Sequence, residues 1–471
     1  MRKSPSSDAP GGGAAALPTA HPSLEGMHGS VATPRAQAGF WRNWRAYFGP
    51  ALLVSVGYMD PGNWGTDLQG GAQFKYSLLW VVGVASLMAI FMQIISARLG
   101  VAAGKDLAQA SRDWFPAWMR WPNWLLCEIA IGACDLAEVL GSAVALNLMF
   151  HIPLLWAVII TGFDVLLLIS LQRFNVRLLE AVVLVLVATI AVCYSIEIFV
   201  LPVTQPHFLE ISRALITPNF RHAGMIYIAI GIIGATVMPH NLYLHSALVQ
   251  SRRFDRDDAS IRRAIRFNTI DSAVALSIAF FVNAAIMVLA AMVFYGQDHV
   301  TLLGGRVVPF NGDTDWIRIA YLTLAPLLGT ALGSVLFGVA LLASGQSSTI
   351  TGTLAGQVVM EGFMNWRMRP WLRRLITRLL AILPAIFVIG FRGDGSVTDL
   401  LTLSQVVLAL QLPFAMFPLL WFTSSRRHMG AWRNGPLLLI AGWTSAILIT
   451  ALDVYGLPDS LRSAWRVIFG H

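Results

Sequence analysis

The sequence predicts an all-α integral membrane protein built from two inverted repeats of five helices plus an eleventh helix. Hydrophobic residues make up 56% of the 471 residues and charged residues only 12%, against about 25% charged in ordinary soluble domains. Eleven apolar segments are long enough to span a bilayer. The first and sixth of these segments are both interrupted near their centres, which relates one group of five helices to the next.

The chain is expected to begin with a disordered cytoplasmic tail, residues 1–40, because this stretch is rich in Gly, Ala, Pro and Ser and holds no long apolar core. A single transmembrane domain, residues 41–455, follows. Its apolar segments are predicted at residues 46–74, 78–103, 122–149, 153–171, 178–201, 223–250, 268–295, 322–360, 375–391, 399–423 and 435–455. The segment at 322–360 is longer than one bilayer thickness, so we expect it to project from the membrane.

The two repeats are predicted at residues 46–201 and 223–423, with the eleventh helix at 435–455 and a short extracytoplasmic tail at 456–471. Cytoplasmic loops of membrane proteins are enriched in Lys and Arg. With the N-terminus placed inside, 25 of the 33 Lys and Arg residues lie in the tail and the inner loops, which puts the C-terminus outside. The net charge of +8 is therefore a topology signal and not a nucleic-acid-binding surface.

The first apolar segment is broken at Asp60, Pro61, Gly62 and Asn63. A carboxylate at bilayer depth costs several kcal/mol and is rare without a role. Pro61 removes an amide donor and clashes with the preceding turn, and the freed carbonyl groups need partners that lipid does not offer. The segment is therefore predicted to form two half-helices that face protein or water.

The sixth apolar segment has a matching break at Met238, Pro239, His240 and Asn241. Both breaks follow the pattern X-Pro-X-Asn, and each lies in the first helix of a five-helix group. Five spans is an odd number, so the second group enters the membrane with inverted topology. Paired broken helices in inverted repeats mark a substrate site at the membrane midplane.

The groups at the two breaks suit a metal cation. Asp60 offers a carboxylate, Asn63 an amide oxygen and Met238 a thioether, while unwound backbone offers carbonyl oxygens. Soft sulfur favours transition metals, whereas Mg²⁺ and Ca²⁺ prefer oxygen ligands, so Mn²⁺ or Fe²⁺ fits this set better than Mg²⁺. The structural alternatives are a flexible packing residue for Met238 and a helix cap for Asp60.

Segment three carries three acids, Glu128, Asp135 and Glu138, within an apolar helix. At 100° per residue their side chains fall on one helix face. Acidic stripes are costly in lipid, and proton relays are a common reason for them. The structural alternative is an acid that burial neutralises or that pairs with an arginine.

Four further polar residues lie within apolar segments. His240 and His245 are about 140° apart around a helix and so do not form a chelating pair. Histidine titrates near neutral pH, which suits proton handling. His240 is the better candidate for this role because it adjoins the break. The alternative is a structural histidine held by hydrogen bonds. Gln93 and Asn283 either line or gate a pathway or form interhelical hydrogen bonds. The three cysteines lack zinc or redox spacing and are expected to be buried thiols.

The two breaks belong to a larger set of matching stretches. The others are GACDLAEVLGSAVALN at residues 132–147, ASGQSSTITGTLAGQ at 343–357 and SQVVLALQLPFA at 404–415. Together they resemble the Nramp family of divalent metal transporters, of the bacterial manganese and iron type, over essentially the whole chain after the tail. The resemblance implies a LeuT-like fold of eleven or twelve spans. It also implies proton-coupled uptake of Mn²⁺ and Fe²⁺, often with Co²⁺, Cd²⁺ or Zn²⁺ accepted.

By this resemblance the metal ligands are Asp60, Asn63, Met238 and the backbone carbonyl of Ala235, with Gln405 joining in some conformations. Relatives that transport Mg²⁺ lack the methionine, which this chain keeps.

A proton route is also implied by the resemblance, from Asp60 towards Asp135 and Glu138. Its arginine partners at the inner end are Arg373, Arg374 and Arg378. Asn241 departs from the family pattern, because many relatives carry an aliphatic residue after the histidine.

The sequence as a whole predicts a multi-pass transporter of the inner cell membrane that moves a transition metal inward with protons by alternating access. Its expected partners are divalent metal ions, protons and the lipid bilayer, with no cofactor, nucleic acid or obligate protein partner. It is not expected to be an enzyme, because it has neither a nucleotide site nor an HExxH motif. The alternatives are a Mg²⁺ transporter of the same fold and an organic-solute symporter. In a symporter, half-helix N-termini would hold an anionic group of the substrate. The buried Asp60 beside them argues against an anionic substrate. A metal sensor is a third alternative, for which the chain shows no signalling domain.

Overall fold

The computed structural model describes residues 23–34, 38–163, 176–199, 207–220, 224–301, 307–310, 314, 316–328, 332–393 and 397–469. Most of these residues are helical. The helices are α1 (Phe40–Tyr47), α2 (Pro50–Ser55), α3 (Pro61–Phe74), α4 (Leu79–Ala103), α5 (Leu107–Trp114), α6 (Arg120–Phe150), α7 (Leu154–Thr161), α8 (Val176–Phe199), α9 (Phe208–Ile216), α10 (Met225–Val237), α11 (Pro239–Leu248), α12 (Asp258–Phe294), α13 (Trp316–Leu328), α14 (Leu332–Met364), α15 (Pro370–Arg392), α16 (Val397–Ser424), α17 (Arg426–Met429) and α18 (Pro436–Phe469).

Short 3₁₀ turns and strands complete the described chain. The 3₁₀ turns are Gly57–Met59, Ala117–Met119, Val249–Ser251 and Gly430–Trp432. The strands are β1 (Val31–Ala32), β2 (Arg252–Arg253), β3 (His299–Thr301) and β4 (Val307–Pro309). β1 pairs with β2 in parallel, and β3 pairs with β4 antiparallel.

Eight helices or joined helices in the described part are long and apolar enough to cross a membrane. They are α4, α6, α10 with α11, α12, α14, α15, α16 and α18. The other three predicted segments fall on α2 with α3, on α7 and on α8. The prediction of an all-helical membrane fold is therefore confirmed. The count of eleven spans and their 5+5+1 order stay predictions, and the predicted residues 164–171, 200 and 201 lie outside the described part.

Both predicted helix breaks are confirmed. Asp60 has extended backbone (φ −69°, ψ 166°) and is the N-cap of α3, whose first residue is Pro61. Met238 separates α10 from α11 with φ +43° and ψ 101°, and Pro239 is the first residue of α11. Proline is well placed at the first helical position, because its missing N–H would be unsatisfied there in any case.

The two broken helices lie in the middle of the helix packing. α3 packs against α10, α12 and α16, and α11 packs against α4 and α14. Small residues bring the elements close: a Cβ atom on Gly234 would overlap the backbone oxygen of Gln405, and one on Gly141 of α6 would overlap Pro61. The breaks are therefore enclosed by protein on several sides.

The predicted segment 322–360 is not one helix. It falls on two helices, α13 before residues 329–331 and α14 after them. The two helices pack against each other. A hydropathy run cannot separate two apolar helices from one long helix, because the connection between them is itself apolar. Likewise, the eleventh helix does not end near residue 455: α18 continues to Phe469, through the stretch expected to be a tail.

Part of the expected disordered tail has a defined place. The backbone N–H of Leu24 donates to Glu361 Oε2 at 2.9 Å, and the N–H of Gly29 donates to the Gln250 carbonyl at 2.9 Å. β1 then pairs with β2. Residues 23–34 therefore lie against the ends of α11 and α14, because backbone pairing gives this stretch an order that its composition does not predict. Residues 1–22 and 35–37 of the predicted tail lie outside the described residues.

Candidate metal site

Asp60 is fully buried and stands at the N-terminus of α3. Its Oδ1 accepts hydrogen bonds from the backbone N–H of Asn63 at 2.8 Å and from the side-chain Nδ2 of Asn63 at 2.7 Å. The backbone bond is a helix N-cap, which satisfies one of the free amide groups of the first turn. Its second oxygen, Oδ2, has no hydrogen-bond partner within the described residues. One carboxylate oxygen therefore caps the helix, and the other makes no hydrogen bond to the described residues.

Asn63 joins the two breaks. Its Nδ2 also donates to the Ala235 carbonyl at 3.0 Å and lies 3.4 Å from the Gly57 carbonyl oxygen. On the far side, Asn283 of α12 donates to Asn63 Oδ1 at 3.2 Å and to the Tyr58 carbonyl at 2.8 Å. The structure thus brings together the carboxylate and the amide of the first break and the α10 carbonyl that the family resemblance implied.

Met238 brings its sulfur to the same place. A Cβ atom on Gly57 would lie 3.0 Å from Met238 Sδ, so the thioether packs against the residue whose carbonyl lies beside Asn63. The positive φ of Met238 is strained for a residue with a side chain, and such strain concentrates at functional sites. The Sδ atom accepts a hydrogen bond from Asn241 Nδ2 at 3.3 Å.

Gln405 of α16 covers the first break. A Cβ atom on Gly62 would overlap the Gln405 amide group, so the glycine is what lets this side chain approach. Its Nε2 donates to Ser404 Oγ at 3.0 Å, whereas Oε1 has no partner in the part of the chain that is described. Beside the second break, the side-chain oxygen atoms of Thr236 and Asn241 are also buried, with no hydrogen-bond partner among the residues that the structure describes. Buried polar atoms are normally paired, and a partly hydrated cation would satisfy such a set.

The donor set is unlike that of a soluble metal site. Among the described residues, no three His, Cys, Asp or Glu side chains come together to hold a metal. One carboxylate, amide and carbonyl oxygens and a thioether provide few charges and one soft donor. Such a mixture suits a transition ion that must be released again, better than a structural zinc.

The acidic stripe of α6 faces the arginines of α15. Glu128 Oε2 lies 2.8 Å from Arg373 Nη2, and Arg374 donates to Asp135 Oδ1 and, at 2.9 Å, to Glu138 Oε2. Asp135, Glu138 and Arg374 are at most 1% exposed. The predicted alignment of the three acids and their arginine partners is therefore found in the structure.

Arg378 and Thr349 complete this network. Arg378 donates to the Asp135 carbonyl at 3.4 Å and to Thr349 Oγ1 at 3.2 Å, and lies 3.9 Å from Glu138 Oε2. Thr349 in turn donates to Glu138 Oε2 at 3.1 Å. Buried charges need such pairing, because taking them out of water costs several kcal/mol for each ion.

Cys134 connects the network to the second break. Its Sγ lies 3.8 Å from Glu138 Oε1 and 3.7 Å from His240 Nε2. No hydrogen bond joins Asp60 directly to Asp135 or Glu138 within the described chain. The acids and the candidate metal ligands are therefore separate groups, with Cys134 and His240 between Glu138 and the second break.

His245 belongs to a different cluster from His240. Its Nδ1 lies 2.9 Å from Gln93 Oε1, and Gln93 Nε2 donates to the Tyr58 hydroxyl at 2.8 Å. That hydroxyl lies 3.4 Å from the Val237 carbonyl. Gln93 thus makes interhelical hydrogen bonds, which was one of its two predicted roles, and it ties α4 to both breaks.

An ionic cluster lies at the N-terminal end of α2. Arg252 Nη2 lies 2.8 Å from Glu180 Oε1 and donates to the Phe48 carbonyl at 2.6 Å. Asp271 Oδ2 accepts from the backbone N–H groups of Gly49 and Ala51 at 3.2 and 3.0 Å. These groups satisfy the free backbone ends of α1 and α2. They therefore fix the start of α2, the half-helix that leads to the first break.

Sequence reasoning missed several of these residues. Tyr58, Cys134 and Thr349 look like ordinary apolar or small helix residues, and no sequence signal marks them. Asp67 is different: it is a buried acid two helical turns after Asp60, and its Oδ2 has no partner among the residues described. Its charge in an apolar segment could have singled it out by the reasoning used for Asp60.

Known proteins are similar to this chain over most of its length. A family model described as "Natural resistance-associated macrophage protein-like" matches residues 51–459. A "Divalent metal cation transporter MntH" from Nostoc sp. is 50% identical over 446 residues, which is 94% of this chain and 97% of the relative. A protein of the same name from Listeria innocua is 46% identical over 444 residues, 94% of this chain and 96% of the relative.

Two solved structures are similar to this chain in fold. The crystal structure of the Eremococcus coleocola manganese transporter has a TM-score of 0.82 at 38% identity, covering 93% of this chain and 91% of that one. MHP1, a nucleobase-cation-symport-1 family transporter, has a TM-score of 0.57 at 12% identity, covering 94% of this chain and 96% of its own. At that identity the likeness extends to the fold alone.

Proposed function

This chain belongs to the Nramp family, and from that premise we propose that it imports divalent transition metal ions together with protons by alternating access. It is an integral membrane protein and a divalent metal cation transporter, and not an enzyme. Its proposed substrates are Mn²⁺ and Fe²⁺, with Cd²⁺, Co²⁺ and Zn²⁺ also accepted. We place it in the inner cell membrane, with eleven spans, the N-terminus in the cytoplasm and the C-terminus outside.

The observation that carries this proposal is the meeting of the two helix breaks. Asp60 and Asn63 from the first break stand beside the Ala235 carbonyl from the second, joined by the Asn63 amide. Met238 packs on Gly57 next to this group. A cation entering the site would find oxygen donors from both repeats and one sulfur, and Gln405 would add a further amide oxygen.

Met238 is the proposed source of selectivity. A thioether is a poor ligand for Mg²⁺ and Ca²⁺ and a better one for transition metals. The competing substrate, Mg²⁺, holds its water strongly and would gain little from this residue. The soft donor therefore favours Mn²⁺ over the far more abundant hard cations.

The network of buried acids and arginines is the proposed proton route. Asp135 and Glu138 share Arg374, and Cys134 and His240 lie between Glu138 and the second break. Glu128 with Arg373 lies further along the same face of α6, nearer its N-terminus, and Glu128 is 18% exposed. A proton that leaves Asp60 when a metal binds could pass to these acids, while the arginines stabilise their charged forms. Asn283, Gln93 and His245 connect the breaks to α12 and α4, and we propose that they follow the gating movement.

Transport into proteoliposomes tests both parts of the proposal. Purified protein is reconstituted with an internal metal dye and, in parallel, a pH dye, and Mn²⁺ or Mg²⁺ is added outside. We expect Mn²⁺ entry with acidification, no comparable Mg²⁺ entry, and loss of both signals in Asp60→Ala. Mn²⁺ entry without acidification would contradict proton coupling, and no metal entry would contradict the transport function.

Met238→Ala separates the two metal hypotheses. If the thioether sets selectivity, this variant loses much of its preference for Mn²⁺ over Mg²⁺ and Ca²⁺, while still folding. Unchanged selectivity would favour a site built on oxygen ligands alone, as in a Mg²⁺ transporter.

A further inference from the structure

Asn241 is the third residue of α11 and is fully buried beside the second helix break. Its side-chain Nδ2 donates a hydrogen bond to Met238 Sδ at 3.3 Å. Its backbone N–H donates to the Met238 carbonyl at 3.2 Å. The residue therefore holds both the side chain and the main chain of the methionine.

The orientation of the Asn241 amide follows from its partner. A thioether sulfur has no hydrogen and only accepts hydrogen bonds, so the amide must present its NH₂ group to Met238. The amide oxygen then points elsewhere, and no partner for it lies within the described residues. A buried carbonyl oxygen without a partner costs free energy, and water carried by a cation in the site would donate to it.

Gly57 closes the other side of this pair. A Cβ atom on Gly57 would overlap Asn241 Nδ2 and lie 3.0 Å from Met238 Sδ. Only glycine leaves room there for the amide and the sulfur together. Asn241 is thus fitted between the two helix breaks and is in contact with both.

Met238 needs such a partner because its side chain is otherwise adaptable. Methionine is unbranched with three rotatable bonds, so its sulfur takes several positions in a loose environment. A hydrogen bond to one lone pair of Sδ restricts these positions and leaves the second lone pair for a metal ion. An aliphatic residue at position 241 would fill the space but could not donate.

We propose that Asn241 is a positioning residue that fixes the Met238 sulfur toward the ion and so sets the preference of the site for soft over hard divalent cations. The inference rests on the proposed function, since it concerns the same ion site. It gives a physical role to a residue that the sequence pattern left unexplained.

A double-mutant cycle tests this inference. Isothermal titration calorimetry measures the Kd of Cd²⁺ and Mn²⁺ for the wild type, Asn241→Leu, Met238→Leu and the double variant. We expect Asn241→Leu to weaken Cd²⁺ binding about tenfold, the effect of one lost hydrogen bond, and Mn²⁺ binding by less. In the Met238→Leu background the same change should have no further effect, because a residue that acts through the sulfur loses its influence once the sulfur is gone.

The outcomes separate the inference from the proposed function. The positioning role alone would be overturned if Asn241→Leu changed the Kd of Cd²⁺ equally with and without Met238. It would also be overturned if Asn241→Leu bound Cd²⁺ as tightly as the wild type. A wild type that binds neither ion would instead contradict the proposed function. Thermal unfolding of each variant checks that it folds.

A spectroscopic readout reports on the sulfur itself. With ¹³C-methyl-labelled methionine, the Met238 signal is assigned as the one missing from Met238→Leu. We expect a single narrow signal in the wild type and a shifted, conformationally averaged one in Asn241→Leu. Gly57→Ala displaces the Asn241 amide and the Met238 sulfur from the opposite side. It should therefore change the Met238 signal and the Cd²⁺ affinity in the same direction as Asn241→Leu does. An unchanged signal in both variants would overturn the proposal.

Discussion

Asn63 of α3 donates a hydrogen bond to the main-chain oxygen of Ala235 of α10 at 3.0 Å, across 172 residues of sequence. The same Nδ2 group donates to Asp60 Oδ1 at 2.7 Å. One amide therefore holds the carboxylate of the first break against the carbonyl of the second. The two halves of the chain therefore meet at the groups proposed to bind the cation.

Asn283→Leu should weaken metal binding without removing any ligand. Asn283 donates to Asn63 Oδ1 at 3.2 Å and to the Tyr58 carbonyl at 2.8 Å, so its loss frees the Asn63 amide to turn. We expect the Kd of Mn²⁺ to rise about tenfold, equivalent to about 1.4 kcal/mol. Isothermal titration calorimetry measures it.

Asn268→Leu is the matched control for Asn283→Leu, because Asn268 is buried on the same helix but donates to the Ala264 carbonyl of its own helix at 2.8 Å. Its Mn²⁺ affinity should stay close to that of the wild type. If both variants bind Mn²⁺ as the wild type does, Asn283 does not hold the site.

Gly62→Ala tests the part played by Gln405. The added methyl group would overlap the Gln405 amide, which is the flexible end of a side chain, so the fold should tolerate it while Gln405 moves off the break. We expect Mn²⁺ uptake to fall several-fold in the proteoliposome assay. Gly65→Ala, whose methyl would lie 3.2 Å from Leu401 Cβ, should affect uptake much less. Equal activities of the two variants would argue against a role for Gln405.

Arg374→Leu should destabilise the protein strongly. Arg374 pairs with Asp135 and Glu138, all three fully buried, and breaking a buried pair costs about 3–5 kcal/mol because a charge is left uncompensated. Thermal unfolding in detergent measures the change in Tm. Arg373→Leu should lower Tm by less, since its partner Glu128 is partly exposed and keeps some contact with solvent when the arginine is lost.

Removing one acid charge should rescue Arg374→Leu. In that variant two buried acids, Asp135 and Glu138, are left with Arg378 alone. Adding Glu138→Gln leaves one acid, Asp135, beside one arginine, Arg378, so much of the lost Tm should return. A double variant no more stable than Arg374→Leu would show that the arginine stabilises the fold by packing and not by charge.

Ionisation of Asp106 should lower the stability of the folded protein as pH rises from about 4 to about 6. It caps α5 outside the spanning segments, and burial raises its pKa from 3.8 to about 6, although the backbone N–H of Gln109 works in the opposite direction. The native state therefore holds the proton more tightly than the unfolded chain, and this stabilisation is lost as pH rises through the native pKa.

Asp106→Asn keeps a capping side chain and removes the titration. Tm measured against pH should fall more steeply between pH 4 and 6 for the wild type than for this variant. A difference in Tm between the two proteins that does not change with pH would contradict the assignment.

The sequence alone located the two breaks and the acidic stripe. Pro61 and Pro239 lack an amide hydrogen, and a charge such as Asp60 is too costly in lipid to be incidental, so local chemistry predicts an interruption wherever they occur together. Periodicity placed Glu128, Asp135 and Glu138 on one face in the same way. These predictions depend on residues close in the chain, and the structure agrees with them.

Local patterns could not give the ends of elements or the connections inside apolar runs. The segment at 322–360 proved to be two helices, and residues 23–34 gained order by pairing with β2. Residues 23–34 are held by partners distant in sequence, and the two apolar helices pack against each other. Composition predicts neither contact.

Only the tertiary structure decided which groups meet. Helical periodicity says which side chains share a face, but it does not say what that face is packed against. The pairing of Glu128 with Arg373, separated by 245 residues, and of Asn63 with Ala235 follows from helix packing around the breaks. The bond from Asn241 to Met238 is local, yet it needs the positive φ that Met238 adopts between two half-helices. The sequence thus determined the chemistry available to this protein, and the packing decided how that chemistry is arranged around the two helix breaks.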